Sequence, residues 1–379
     1  MNSLKKLEIL AKTGDVDSFS CISSPQEIRK QSHIVLTQVV KGGGKKAVLL
    51  KSLLTSVCDH NCLYCPFRAG RDFPRMSFSP EEFARLAVNL SRAGLIQGIF
   101  LSSGVTGGGV RTQDRLLETA EILRKKHGYR DYLHLKIMPG AEFDQVVQAM
   151  RLADRISINL EAPNAEKLPL LAPEKDFENE LLLPLKWAHQ IRQTISAKKA
   201  WKNRWPASCT QFVVGGSGET DEELLKCAQN LHSLYELRRV YFSAFQPHRN
   251  TPLENHPATT YQREQRLYQA DYLIRDYGFT QEELIYDTDK NLTKSQDPKL
   301  AWAEVHLKHN PVEINTANRN TLLRVPGIGP VGADAILRLR QRESIRDISI
   351  LRKAGLDIRR LQDYVLTNGR KPTAQPSLF

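Results

Sequence analysis

The chain has 379 residues, enough for one large domain and a smaller one, and a formal net charge of +12. Its composition, 41% hydrophobic and 25% charged, is that of a globular protein, and no apolar run is long enough to predict a membrane span. Basic residues at the N-terminus are not followed by an apolar segment, so no signal peptide is predicted. We therefore expect free cysteines in a reducing, cytoplasmic compartment.

Short apolar runs alternate with helical stretches between residues 47 and 244. This alternation predicts a parallel sheet with right-handed crossovers and six βα units, an α/β fold that is a partial (β/α)6 barrel. The predicted strands are Ala47–Leu54, Gly98–Ser103, Tyr132–Met138, Arg155–Glu161, Thr210–Val214 and Arg239–Ala244.

Three helix starts carry a capping signal. Ser79, Thr220 and Thr280 each stand three residues before a glutamate, the pattern of a capping box, so a helix is predicted to begin after each of them. Pro80 suits the first position of its helix.

Polar and apolar residues alternate along two of these strands. Polar residues that include His134 and Lys136 share one face of the third, and Asn159 and Glu161 share one face of the fourth. In a sheet covered by helices, such residues are expected to line the barrel interior near the carboxyl ends of the strands, where barrel active sites lie. The alternative is an ordinary strand with one exposed face.

Three cysteines lie close together, Cys58, Cys62 and Cys65, in the spacing C-x3-C-x2-C. Three thiolates on one loop can hold three irons of a [4Fe–4S] cluster and leave the fourth iron open. A structural zinc site is the alternative, but zinc usually takes four protein ligands, and the fourth would have to be His60 inside the same loop. The remaining cysteines are isolated, which argues against a disulfide framework.

The cysteine motif resembles that of the radical S-adenosylmethionine (radical SAM) superfamily. The resemblance implies a [4Fe–4S] cluster and S-adenosylmethionine (SAM) as cofactors, with SAM on the open iron. It also implies reductive cleavage of SAM to a 5′-deoxyadenosyl radical that abstracts hydrogen from a substrate, with an electron donor such as flavodoxin or ferredoxin.

The same resemblance implies a set of cofactor contacts. Ser102 and Ser103 stand where many members have a Gly-Gly-Glu segment for the SAM amino group, and this chain lacks the glutamate. Asn159 and Glu161 match the ribose-binding strand. The remaining implied contacts are Tyr64, next to the last cysteine, and Gly215 and Gly216, beside the adenine.

Two further residues are candidates for a catalytic role. Lys136, or its neighbour His134, would face the predicted site and could hold a charge of the substrate or of SAM. Cys21 lies in a less structured stretch and is the best candidate for a reactive thiol outside the cluster motif.

Residues 311–379 form a distinct basic module, with 12 Lys and Arg against 6 Asp and Glu, which is half of the whole positive excess. The segment Ile314–Ala333 resembles the helix-hairpin-helix DNA-binding motif. Main-chain N–H groups of the hairpin would contact a phosphate. The predicted nucleic-acid contacts are Arg324, Gly327, Ile328, Gly329 and Arg338, and a weaker second copy follows at residues 350–356.

These patterns predict three parts: an N-terminal extension (1–46), a partial barrel with a helical extension (47–310) and a small all-α helix-hairpin-helix module (311–379). A basic stretch that contains Trp201 and Trp205 is either a base-stacking surface or a solvated face with buried tryptophans.

Over nearly its whole length the chain resembles radical SAM proteins named for DNA modification or repair, which implies a nucleic-acid substrate, DNA first. Two alternatives remain. One is a radical SAM enzyme that acts on a protein or small molecule, and the other is a non-catalytic DNA-binding protein with a structural cluster.

Overall fold

The computed structural model describes residues 3–13, 36–40 and 46–372 of the chain. Cys21 lies outside these residues. Packing contacts divide the chain into two compact units, Met1–Glu219 with Asn230–Thr260, and Thr220–Gln229 with Tyr261–Phe379. The predicted boundaries at residues 46 and 310 stay predictions. Among the described residues, no helix is both long enough and apolar enough to cross a bilayer.

The first unit is built on a seven-stranded sheet whose strands follow chain order. The first strand pairs antiparallel with the second, and the other six run parallel. The strands are β1 (Leu36–Val40), β2 (Lys46–Leu53), β3 (Gly98–Ser102), β4 (Tyr132–Lys136), β5 (Arg155–Ser157), β6 (Ala207–Val214) and β7 (Arg239–Ala244). The parallel strands curl into a half barrel, so the predicted partial (β/α)6 fold is confirmed.

Helices connect successive parallel strands, as right-handed crossovers require. They are α2 (Pro80–Arg92), α3 (Gly109–Glu121), α4 (Phe143–Leu152), α5 (Leu183–Thr194) and α6 (Asp221–Tyr235), and α1 (Ser3–Thr13) precedes the sheet. The side chain of Ser79 accepts from the amide of Glu82 and caps α2 as predicted. Thr220 exchanges hydrogen bonds with Glu223 at the start of α6.

The helix predicted after Thr280 is a single 3₁₀ turn, Gln281–Glu283. Its capping box is present, with hydrogen bonds in both directions between Thr280 and Glu283. The backbone becomes extended at Leu284, so the capping signal is followed by one turn and no helix.

Along β4, the apolar and the polar side chains alternate between the two faces of the sheet, and both sets are buried. Leu133 and Leu135 of β4 are fully buried on one face. His134 and Lys136, on the other face, are also buried, although both are polar. Buried polar groups need partners. The imidazole of His134 stacks on Phe100, with ring centres 4.3 Å apart, and contacts the Ser157 hydroxyl at 2.9 Å.

The second unit consists of short helices around its own apolar core. They are α7 (Tyr261–Tyr277), α8 (Pro298–His306), α9 (Arg319–Arg324), α10 (Pro330–Arg340), α11 (Ile350–Lys353) and α12 (Ile358–Leu361), together with a parallel pair of two-residue strands, β8 (Val312–Glu313) and β9 (Val365–Leu366). Leu322, Ile328 and Ile336 are fully buried in a core that also takes in Ala303 and Leu307 of the segment before residue 311.

A buried arginine ties three segments of the first unit together. The guanidinium of Arg124 forms an ion pair with Asp154 at 2.9 Å, and both side chains are nearly inaccessible. It lies 4.0 Å from the ring of Trp201. It also donates to the carbonyl oxygens of Tyr129, Asp131 and Leu152. Trp201 of the basic stretch is half-buried, and one face of its ring is covered by Arg124, which favours a packing role for this tryptophan over base stacking.

Replacing Arg124 by Met should lower the free energy of unfolding by about 3 kcal/mol, because it leaves Asp154 buried with Lys202 as its remaining cation and strands three carbonyl groups. Denaturant unfolding measures this change. Lys125→Met is the matched control. That lysine is exposed and pairs with Glu121 one turn away, so its loss should cost less than about 0.5 kcal/mol. Equal effects of the two substitutions would contradict this role for Arg124.

Candidate active site in the half barrel

A pocket opens at the carboxyl ends of the parallel strands. Five of the parallel strands contribute polar side chains to its lining: Ser102 and Ser103 at the end of β3, Lys136 of β4, Asn159 and Glu161 after β5, Gln211 of β6 and Ser243 of β7. Because parallel strands all end at the same edge, residues far apart in sequence meet here. The cysteine loop supplies the opposite side through Cys58, Cys62, Tyr64 and Cys65.

One arginine holds the cysteine loop in shape. The guanidinium of Arg75 donates four hydrogen bonds of 2.7–3.1 Å to main-chain carbonyl oxygens on both sides of the motif, those of Ser56, Phe67, Arg68 and Arg71. It also lies 4.0 Å from the ring of Phe73. Five N–H donors in a rigid fork allow one side chain to satisfy several carbonyl groups. The loop therefore has a defined conformation from the protein alone.

Main-chain contacts place this loop against the strand edge. The amide of Leu63 donates to the carbonyl of Leu171 at 2.7 Å, and that of Asp59 to Val105 at 2.7 Å. Gly104, just after β3, packs so closely on Val57 that a Cβ atom would collide with its carbonyl oxygen. Only glycine therefore allows the end of β3 to lie against the cysteine loop.

The pocket residues fit a cluster with one thiolate for each of several irons. Cys62 is buried and Cys58 and Cys65 are half-buried, all three facing the same pocket. Within the described ranges, no three His, Cys, Asp or Glu side chains converge as a single metal ion would need. A cluster does not require such convergence, because each thiolate binds a different iron. Burial raises the pKa of the Cys62 thiol.

Two buried polar atoms of the pocket residues lack a partner in the described structure, Nδ1 of His60 and Oε1 of Gln211. Buried polar atoms are nearly always satisfied, so these two indicate groups that bind in this pocket. Burial, followed by the charge of Lys175, lowers the pKa of His60, so its imidazole is neutral at neutral pH.

A chain of polar contacts crosses the pocket. Lys136 donates to Asn159, whose amide lies 3.4 Å from a carboxylate oxygen of Glu161. Glu161 accepts from Lys175 at 2.9 Å and from the Tyr64 hydroxyl. Both members of the Glu161–Lys175 pair are buried.

The electrostatics keep this pair ionised. Burial opposes the charge on Lys175, but the Cys62 sulfur, when it is a thiolate, and the Glu161 carboxylate raise its pKa above the ordinary value. Burial likewise opposes the charge on Glu161, and Lys175 and Lys136 lower its pKa. The pocket wall is thus a charged hydrogen-bonded network at neutral pH.

Glu161 has a left-handed backbone conformation, with φ of 65°. Regular pairing of β5 ends at Ser157, earlier than predicted, and Glu161 returns to the sheet through a single bridge to Phe212. Left-handed backbone is unfavourable for a residue with a side chain, and such strain concentrates at functional sites. The surrounding hydrogen bonds hold the carboxylate toward Lys175.

The structure brings together, in the half-barrel pocket, most of the residues predicted for the cluster and SAM. All three cysteines and Tyr64, Ser102, Ser103, Lys136, Asn159 and Glu161 line the pocket. Gly215 and Gly216 are not among its lining residues. Gly215 forms a turn with φ of +87°, and Gly216 packs against Leu171 and Phe245. Their role beside the adenine stays a prediction, as do the roles of the residues that line the pocket.

Sequence reasoning gave no role to Lys175, Arg75 and Gln211. Lys175 meets Glu161 from a separate loop, and Arg75 acts through carbonyl groups, which no side-chain motif reports. Gln211 could have been found from the inward face of β6, by the alternation that singled out Asn159.

Comparisons with known proteins match part of this chain. Residues 52–231 match the model of the Radical SAM superfamily. An uncharacterised protein of Methanocaldococcus jannaschii is 22% identical over 228 residues, which are 56% of this chain and 53% of that protein. This chain thus spans about half the length of that relative.

Three solved structures are among the similar ones. The [FeFe]-hydrogenase maturase HydG of Carboxydothermus hydrogenoformans is 16% identical over 60% of this chain and 51% of its own, with a TM-score of 0.46. Methylornithine synthase is 14% identical over 60% and 62%, with 0.47. The methyltransferase TsrM of Kitasatospora setae, with cobalamin and a [4Fe–4S] cluster bound, is 14% identical over 66% and 46%, with 0.41.

A half barrel with three thiols at the carboxyl edge of its strands is an arrangement that suits an iron–sulfur cluster. The family match covers residues 52–231, just under half of the chain, and shows that this part is similar to the radical SAM superfamily. That superfamily uses a [4Fe–4S] cluster and SAM, and Cys58, Cys62 and Cys65 are the pocket residues that would hold the cluster.

Alanine at Cys58, Cys62 or Cys65 should abolish cluster binding or SAM cleavage, because one iron loses its thiolate. Iron and sulfide analysis of anaerobically reconstituted protein, with its absorption spectrum, measures the cluster. Cys227→Ala is the control, since burial raises the pKa of that thiol to about 12 and it lies on α6. A cluster that survives the triple Ala variant would exclude this assignment.

Asn159→Ala and Glu161→Gln should weaken SAM binding about three- to tenfold, since each loses hydrogen bonds of about 0.5–1.5 kcal/mol. Equilibrium dialysis with SAM measures the affinity, and an unchanged cluster spectrum shows that the site is otherwise intact. Ser157→Ala is the matched control, because Ser157 ends the strand that leads to these two residues and contacts His134 instead of lining the pocket. Full SAM affinity in both variants would assign these residues another role.

Proposed function

We propose that this protein is a radical SAM enzyme that modifies or repairs a nucleic acid, most directly DNA, which its second unit binds through backbone phosphates. The observation that carries the proposal is the Pro-Gly-Ile-Gly hairpin between α9 and α10, with exposed arginines in the same unit. When bound, the cluster and SAM supply reductive SAM cleavage and hydrogen-atom abstraction, with an electron from a donor such as flavodoxin or ferredoxin.

The hairpin would contact a phosphate through its main chain. Gly327 has a φ of +84°, and a Cβ atom there would lie 3.0 Å from the carbonyl oxygen of Asp357. Ile328 is fully buried in the core of the unit, and its amide already donates to the carbonyl of Val325 at 3.1 Å, so Gly329 and not Ile328 supplies the main-chain donor that the proposal uses. No described residue accepts a hydrogen bond from the amide of Gly329. Free main-chain N–H groups in a tight turn suit an anion.

The two predicted arginines differ in what they can contribute. Arg324 forms an ion pair with Glu283 at 2.6 Å and stacks on Phe279 at 4.0 Å, so its guanidinium is already engaged inside the unit. Arg338 is exposed near the end of α10. Arg342 and Arg346 follow it, and both are exposed as well. These exposed groups, and not Arg324, are the phosphate contacts that the proposal uses.

Within the half barrel, the chain's own residues would bind and orient the cofactors and the substrate. The Glu161–Lys175 pair and Lys136 fix a charged wall, and Gln211 offers an acceptor to a donor group that enters the pocket. Substrate modification is tested by anaerobic turnover with deuterated DNA, which should transfer deuterium into 5′-deoxyadenosine. SAM cleavage without any such transfer, with transfer from a peptide or small molecule instead, would contradict a nucleic-acid substrate.

DNA affinity of the full chain should fall steeply with salt, with a slope of log K against log salt of about −0.9 per neutralised phosphate. Arg338→Ala should reduce the magnitude of this slope by about one unit. Fluorescence anisotropy with a labelled duplex measures both. Arg92→Ala, which removes the same charge from an exposed position on α2, should leave the slope unchanged. A full chain without DNA binding at low salt would make the hairpin a packing or protein-contact element.

A further inference from the structure

A buried lysine lies against the hairpin of the second unit. Lys299 is the second residue of α8 and is only 9% exposed. Its ammonium donates a hydrogen bond of 2.6 Å to the carbonyl oxygen of Ile328, the central residue between the two hairpin glycines. It also lies 4.6 Å from the ring centre of Tyr277. An ammonium group is thus held directly under the main chain proposed to contact phosphate.

This contact fixes the direction of one peptide group. In a planar trans peptide, the carbonyl and the following N–H point in opposite directions. Because the Ile328 carbonyl points to Lys299, the N–H of Gly329 points away from it, and no described residue accepts from that N–H. The Tyr277 hydroxyl lies close to Gly329 on the buried side, 3.2 Å from where a Cβ atom would be.

A buried ammonium is expensive, which is why lysine is rarely fully buried without an anionic partner. Nothing in the fold of α8 requires a charge here. A methionine could fill the same space, and the Ile328 carbonyl alone would then need another donor. The ammonium at this position is therefore placed to act on an anion at the other side of the hairpin.

We propose that Lys299 is a positioning residue for anion binding, which turns the Gly329 N–H outward and supplies positive charge beneath a bound phosphodiester. This inference rests on the proposed DNA binding by the same hairpin. It adds a residue outside the helix-hairpin-helix motif, and it makes the site sensitive to the protonation of one lysine.

The charges around Lys299 make its proton exchangeable near neutral pH. The pKa of Lys299 is lowered to about 7. Burial is the main cause, Asp297 at the start of α8 opposes it, and Arg360 of α12 acts in the same direction as burial. Asp297 is shared, since it also pairs with Arg360. Tyr277 of α7 has a pKa raised by burial and stays neutral. A phosphate at the hairpin would favour the protonated lysine, so DNA affinity should fall as pH rises through this range.

The experiment measures binding of a labelled DNA duplex to the full chain between about pH 6 and pH 8.5 at constant salt. Wild-type affinity should fall across this range, by up to about tenfold for each unit by which phosphate raises the lysine pKa. Lys299→Met should bind about tenfold more weakly at the lower pH and show no such fall. Lys299→Gln keeps a donor without the charge and should be intermediate in affinity and independent of pH.

Lys308→Met is the matched control, because it removes the same charge from an exposed lysine that pairs with Glu304 in the same unit. It should keep the wild-type pH profile. Melting temperatures of the variants separate lost folding from lost binding. If Lys299→Met does not fold, the wild-type profile and Lys299→Gln decide the matter.

Three results would overturn the inference. A wild-type affinity independent of pH would exclude a titrating lysine at the site, and equal affinities and profiles for wild type and Lys299→Met would exclude any role of Lys299 while DNA binding stands. A wild-type chain that binds no DNA would remove the proposed function together with the inference.

Discussion

The buried ion pair between Glu161 and Lys175 is the interaction on which the site in the half barrel depends. The Glu161 carboxylate favours the protonated form of Lys175, and so does the Cys62 sulfur whenever it is a thiolate, as it would be when it binds iron. Removing one member of such a pair leaves a buried charge without compensation, which costs far more than the pair itself contributes. The two residues are therefore coupled to each other and to the cysteine loop.

The left-handed backbone of Glu161 is held by the main chain next to this pair. Glu161 keeps a left-handed conformation because the main chain on both sides is fixed, by hydrogen bonds to Gln211 and from Val213. Strain persists only where neighbouring contacts determine the conformation more strongly than the residue's own preference. The carboxylate is thereby aimed across the pocket, and Asn159 and Lys136 continue the same hydrogen-bonded line.

Local patterns predicted the fold well because strands and helix starts are local features. Ser79 caps a helix through an amide three residues away, and the alternation around Lys136 describes a strand of five residues. The capping box at Thr280 shows the limit, since the cap forms and the helix does not continue. What a cap cannot report is whether the following residues have a core to pack against.

Sequence analysis proposed the site residues that belong to a recognisable motif. It missed the residues that reach the site only through contacts with distant parts of the chain. Arg75 and Lys175 act through groups that lie in other loops, so neither spacing nor composition reveals them. The sequence predicts that Arg324 contacts phosphate, because its charge stands next to the hairpin. In the fold its guanidinium pairs with Glu283, 41 positions earlier in the chain. The sequence shows which residues are charged and could bind a phosphate. Only the fold shows whether such a charge is already paired within the protein.

The two buried lysines of this protein show the same principle in opposite directions. Lys175 faces the Glu161 carboxylate and the Cys62 sulfur, so its pKa is raised and it stays charged at neutral pH. Lys299 faces a carbonyl oxygen and a neutral phenol, and burial brings its pKa down to about 7. Between that value and the ordinary lysine pKa, the folded chain binds fewer protons than the unfolded chain.

The consequence for Lys299 is that stability and anion binding follow pH in opposite senses. Since the unfolded chain binds more protons at this residue, its contribution to the free energy of unfolding increases as pH rises from about 7 toward 10.5. Its contribution to phosphate binding decreases over the beginning of the same window, because the ammonium is lost. For a lysine that served packing alone, these opposite effects of pH on stability and on anion binding would have no function. A site that uses the charge for a ligand accepts lower stability in its empty state, which is the usual relation between function and stability at a binding site.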